Sequence, residues 1–277
     1  MRFDLLLWAE SVKLLSRSSA RLGLVLAAGL GLVAPLLLTM VANSGMVVNG
    51  AAVSDTLAAS APMAARWALS IRNLWLMQAL VLLLATQSFA GELQARTLRE
   101  DLVRPVPRTA VLLAKVGAVA LWIGLSLVLQ YLVATVAGLV LFGTGGPWRD
   151  VAMGYLATFG ADLSFAAVAF AAAALVRSVP GTLVGVLLFI VFEKLVAWFL
   201  YVAEGAKGML PPEMNQVPAV VDWVFASQPM LPSAAWGIGG ELSVGNDVLL
   251  VTWAALGLYF LGGLLVAERR FAWSDVP

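Results

Sequence analysis

Six apolar runs, each near the length needed to cross a bilayer, decide what this chain can become. They lie at about 22–42, 73–90, 110–142, 151–176, 180–202 and 248–267 in a sequence of 277 residues. A membrane helix needs about 20 predominantly apolar residues. The hydrocarbon offers no water to the backbone, so every amide must pair within its own segment, and each run is expected as an α-helix. Composition agrees, with 61% of residues hydrophobic, 12% charged and a mean hydropathy of +0.93. The predicted fold class is an all-α integral membrane protein, with residues 1–277 forming one domain.

What the chain lacks narrows its chemistry. It has no cysteine and no histidine, which removes disulfides, thiol nucleophiles, thiolate metal sites and imidazole acids, bases and ligands. No paired-carboxylate spacing inside the apolar runs suggests a metal site, and a net charge of +1 suggests no nucleic-acid surface. No Gly-x-x-x-x-Gly-Lys-Ser/Thr phosphate loop occurs, so the chain is expected to carry no cofactor of its own.

Residues 1–21 are amphipathic. Phe3, Leu6, Leu7 and Leu14 share a side, and Glu10, Lys13, Arg17 and Arg21 follow one another at helical spacing, the pattern of a helix lying in the membrane interface. The rival reading, a signal peptide, conflicts with the length of the 22–42 run, which exceeds a signal h-region of about 7–15 residues; an uncleaved first span is expected instead. Pro35 is placed to kink that span, and Gly23, Gly29 and Gly31 suit close helix packing. The segment from Asn43 to Arg72, rich in Ala, Ser, Gly and Asn, shows no clear pattern. Gly143–Pro147 has the composition of a turn.

Residues 91–109 form a charged island between the second and third runs. Ala95, Leu98 and Leu102 fall on one helical face, whereas Arg96, Arg99, Glu100 and Asp101 point elsewhere, predicting a short amphipathic helix that Pro105 and Pro107 stop. The basic residues Arg2, Lys13, Arg17, Arg21, Arg96, Arg99, Arg104, Arg108, Lys115, Arg177, Arg269 and Arg270 fall on one side of a six-span topology. Arg66, Arg72, Arg149 and Lys207 fall on the other. The excess puts the island and both termini in the cytoplasm.

Glu92 at the end of one span, Thr97-Leu98 a few residues on, then Pro105, Arg108 and Lys115 at the start of the next resemble the cytoplasmic loop of bacterial ATP-binding-cassette exporter permeases of the second type. Arg96 stands where that family usually has Gly. The resemblance implies that residues 91–109 contain a coupling helix docking on a separate ATPase subunit, with Glu92, Arg96, Thr97, Leu98, Arg99, Glu100, Asp101, Arg104, Pro105 and Arg108 in or beside the contact. It further implies two ATPase copies carrying ATP and Mg, a second permease protomer, a bacterial inner-membrane location, outward transport, and short outer helices before the sixth span.

The segment 203–247 is the longest loop, and Val217, Val220, Val221, Val224 and Phe225 follow helical spacing in it. It reads equally as a structured cap or as a gate. Asp162, Glu193 and Lys194 fall near span centres, where a charge costs roughly 2.5–3.5 kcal/mol on insertion scales. They line a translocation path, or form an internal pair such as Lys194 with Asp162; the sequence leaves both open. Gln130, with Gln78 and Gln87, adds polar points to the spans. Against an ATP-driven exporter stand a polytopic scaffold or membrane enzyme, and a secondary transporter using Asp162 or Glu193. The missing His and Cys weaken the enzyme, and the absence of an internal repeat weakens the secondary transporter.

Overall fold

A computed structural model describes residues 2–44, 47–48, 51–52, 59–73, 76–95, 106–207 and 246–273. Among them are eight helices: α1 (Phe3–Ser16), α2 (Ser18–Ala42), α3 (Ala61–Arg72), α4 (Leu76–Ala95), α5 (Arg108–Phe142), α6 (Trp148–Val176), α7 (Val179–Lys207) and α8 (Asn246–Trp273). The sole extended structure among the described residues is a minimal antiparallel pair, β1 (Val47–Val48) with β2 (Ala51–Ala52), in which Val47 faces Ala52.

Five helices, α2, α5, α6, α7 and α8, contain stretches long and apolar enough to cross a membrane. The expected second span differs from its reading as 73–90. It is a bent pair, α3 and α4, inclined at 56° to each other, which qualifies as a sixth span only when taken together. The amphipathic N-terminal segment also divides. Arg17, in extended backbone at φ −70°, separates α1 from α2, so Arg21 belongs to the first span and not to the interfacial helix.

The helices alternate in direction, and their end contacts define two ends of the bundle. At one, the Ser19 hydroxyl of α2 donates to Gln87 Oε1 of α4. There too the Val179 N–H of α7 donates to Gln94 of α4, and Arg108 at the start of α5 donates to the Phe271 carbonyl near the end of α8. At the other end, the start of α3 lies against the last turns of α5. Between them, α5 is the central post, touching α1, α2, α3, α4, α6 and α8. Its 35 residues span about 52 Å at the helical rise, well beyond a hydrocarbon core of about 30 Å.

Close approach between helices is set by small residues, as expected where lipid supplies no hydrophobic force between helices. A Cβ on Gly23 of α2 would lie 2.5 Å from the Trp122 ring of α5, and one on Gly31 would lie 2.8 Å from the Gln130 carbonyl. Gly263 of α8 seats directly on the Ala167 backbone of α6, where a Cβ would come within 2.7 Å of the carbonyl carbon. Gly29, expected to act likewise, has no described residue within 4 Å of its Cβ position. Pro35 lies inside α2, which is one continuous helix from Ser18 to Ala42.

The turn expected at Gly143–Pro147 is present, and a second tight turn separates α6 from α7. Gly143 and Gly146 take positive φ values of 80° and 126° between α5 and α6. Arg177, left-handed at φ 57°, ends α6, its N–H bonded to the Ala173 carbonyl, and α7 begins two residues later with Pro180 in its first turn. Large apolar side chains cover the outside of α2, α5, α7 and α8, for example Val25, Val140, Leu188 and Leu258, the inverse of a soluble protein and the condition for contact with lipid.

Candidate functional site

Two polar assemblies stand out in this apolar bundle. The first joins α1 to the ends of α4 and α5. Lys115, about two turns into α5, is fully buried, and its ammonium donates to Glu10 of α1 at 2.8 Å and to Glu92 of α4 at 2.5 Å. The second oxygen of Glu92 meets Lys13 at 2.6 Å and Arg17 at 3.6 Å. Glu10 and Lys13 of α1, with Arg17 just past its end, face the bundle as the helical spacing in the sequence suggests; Phe3, Trp8 and Val12 are exposed on the other side. The cleft among Lys13, Arg17, Ser88 and Ala118 is too narrow for a water molecule. A charge-assisted network with two acceptors per carboxylate is among the stronger polar contacts available to a protein.

This clamp lies beside the charged island. Glu92 is one turn from Ala95, the last residue of α4, and Arg108 opens α5. The Arg108 guanidinium also lies over the Phe271 ring at 5.9 Å, a cation–π contact to α8. Arg96, Thr97, Leu98, Arg99, Glu100, Asp101, Arg104 and Pro105, with the coupling helix expected there, lie outside the described residues, as does 208–245, most of the segment 203–247 in which outer helices are expected.

The second assembly is at the break between α3 and α4. Arg72, the last residue of α3, is fully buried and pairs with Asp162 of α6 at 2.5 Å. This corrects two expectations. Asp162 pairs with Arg72 and not with Lys194, and Arg72 is buried in the bundle and not in an external loop. The partner could not be inferred because it stands 90 residues away in a segment whose pattern the sequence reading left unassigned. A signal was there: Ser60 followed by Ala61-Pro62 is a helix start, and in the structure the Ser60 hydroxyl accepts from the Met63 N–H.

Around the pair the broken backbone is met by side chains. Asn73 caps α3, accepts from Arg72 through its Oδ1, and donates to Thr158 of α6. Gln78 of α4 donates to the Asn73 carbonyl at 2.6 Å, and Gln130 of α5 donates to the Ala68 carbonyl at 2.8 Å. The Tyr155 hydroxyl of α6 donates to the Ala65 carbonyl. A cation at a helix C-terminus also faces the negative end of the helix dipole, which suits Arg72 to its position. Gln130, a candidate path residue, is thus a buried brace between α5 and α3. Glu193, buried, and Lys194, half-buried, are neighbours on α7.

At the end opposite α1, a cavity of about 490 Å³ opens between the start of α3 and the α5–α6 turn, lined by Ser60, Met63, Arg66, Phe142, Pro147 and Val151 among others. Among the described residues no group of carboxylates could hold a metal ion.

Apolar helix exteriors, small residues at helix crossings and polar groups reserved for contacts between helices define a multi-pass α-helical membrane protein. The family model described as ABC-2 family transporter protein matches residues 6–197, well over half the chain, and the protein belongs to that family. The resemblance carried by Glu92, Thr97-Leu98, Pro105, Arg108 and Lys115 is thereby borne out, and the chain is a permease-type membrane component of an ABC transporter. A search of curated proteins matched nothing.

Proposed function

We propose that this chain is the membrane subunit of an ATP-driven exporter, with ATP and Mg bound by two copies of a separate ATPase and a second permease protomer completing the path. The observation that carries the reading is the clamp. Glu92 and Lys115 flank the island in sequence, and both are bound to α1 through Glu10, Lys13 and Arg17. A partner pressing on residues 96–105 would therefore act on α1, α4 and α5 as one unit, and through Arg108 and Gln94 on α8 and α7. With the basic residues of this end in the cytoplasm, the ATPase and the island meet on the same side.

The test is purification from the native membrane, which should bring an ABC ATPase with the chain. Glu100→Lys and Arg104→Glu should release that ATPase while leaving the permease folded, since a reversed charge at an interface replaces attraction with repulsion. If the chain hydrolyses ATP without a partner, or if both reversals leave ATPase binding and transport intact, the reading fails.

A further inference from the structure

The cavity at the end opposite the clamp lies where the start of α3 meets the α5–α6 turn, and two glycines set how closely they meet. A Cβ on Gly138 of α5 would lie 2.8 Å from Ala61 Cα, and one on Gly146 would lie 3.0 Å from both Pro62 Cγ and the Ser60 hydroxyl. Gly146 also holds a φ of 126°, a conformation that residues with a side chain rarely adopt. The space of about 490 Å³ left beside these contacts is therefore built by the fold, and every residue lining it is among those described.

We propose that this cavity binds an anionic group carried on an apolar body, with Arg66 as its counter-ion. Met63 and Arg66, one turn apart on α3, both line it. Arg66 is only 7% exposed and is the one charged side chain in the lining; Met63, Phe142, Pro147 and Val151 make the rest of the wall mostly apolar. Arg149 and Asp150, next to Val151 in sequence, are exposed and do not line it. A preformed pocket of about 300–1,000 Å³ with apolar walls and a few fixed polar groups is the usual form of a small-molecule site. A cation so far removed from water is stabilised by a negative partner. Arg66 has another contact of its own, but the fork of N–H donors on a guanidinium is not exhausted by one contact, and its geometry matches a carboxylate or phosphate. A soluble organic anion and the headgroup of an anionic lipid share this chemistry. That such a group is cargo on its way out rests on the function proposed above; the site itself does not.

The chain has no native cysteine, so Met63→Cys places a single thiol in the cavity wall, and its rate of modification by a small water-soluble thiosulfonate reports occupancy without any ATPase. In phosphatidylcholine nanodiscs, naphthoate should slow the modification and its neutral twin naphthamide should not. Arg66→Gln should weaken naphthoate about tenfold or more, the loss expected when a charge-assisted contact is removed. Val151→Phe should abolish protection by another route, because Val151 is buried and an added ring has the cavity to enter. Should Arg66→Gln fail to fold, naphthamide still tests the charge and Val151→Phe the place. Slowing without any probe when phosphatidylglycerol replaces phosphatidylcholine would make the occupant a lipid headgroup; slowing by naphthoate alone would make it a soluble anion. The proposal is overturned if neither slows the modification, if naphthamide protects as well as naphthoate, or if protection survives Val151→Phe undiminished. None of these outcomes depends on whether an ATPase is found with the chain.

Discussion

The two charged assemblies solve different problems. In the clamp, Glu10 and Glu92 share Lys13, Arg17 and Lys115, so each carboxylate keeps a cation if one is lost, and Lys13 remains 43% exposed. At the break, Asp162 has Arg72 and both are essentially inaccessible, at 1% and 0%. The clamp is redundant and edges into water; the pair is singular and dry. Redundancy makes the loss of any one cation tolerable, whereas a single contact leaves no substitute.

Removing a partner from each joint should expose that contrast most strongly at the dry one. Asp162→Asn leaves a buried guanidinium uncompensated, and breaking such a pair costs about 3–5 kcal/mol. The variant should lose thermal stability accordingly, and adding Arg72→Gln should recover more than half the loss. A double variant no more stable than the single would mean that the pair's surroundings, and not the pair, carry the cost.

Lys115→Met should cost less despite the complete burial of Lys115. Lys13 and Arg17 still neutralise Glu92, and hydrogen bonds to charged groups contribute about 1.5–3 kcal/mol. A loss as large as that of Asp162→Asn in the same melting experiment would show that the clamp is not redundant.

Salt separates the joints without mutation. Raising ionic strength from about 0.01 to 1 M shortens the screening length from about 30 to 3 Å, which should loosen α1 at its exposed cations, read as faster proteolysis near Arg17. The buried Arg72–Asp162 pair, out of reach of dissolved ions, should not respond. Smallest of all, Lys13→Ala removes a partly solvated cation and should cost under about 1 kcal/mol; a larger drop in melting temperature would mark Lys13 as more than a rim contact.

The clamp was partly legible in the sequence and the break was not, for a physical reason. Apolar length reveals spans, and α5, α6, α7 and α8 enclose the runs read from it. Glu10, Lys13 and Arg17 were readable as one side of a helix because helical spacing is local. What they bind, Lys115, is a contact at a separation of 105 residues, which no local pattern encodes. The α3 half was missed because Arg66 and Arg72 interrupt its apolar pattern and read as loop charges; their burial is a tertiary fact. Glu193 and Lys194, conspicuous as intramembrane charges, offered no means of ranking them below Arg72.

The distance in sequence between Glu10 and Lys115 also orders the making of the protein. When α1 and the first two spans have left the ribosome, Glu10 and Glu92 exist but the buried ammonium that unites them does not. Lys13 and Arg17 can already meet Glu92 at that stage, but Glu10 gains its buried cation only when residue 115 arrives. The complete four-partner clamp is thus a product of the third span, and a chain cut before that lysine would hold its N-terminal helix by the two outer cations alone.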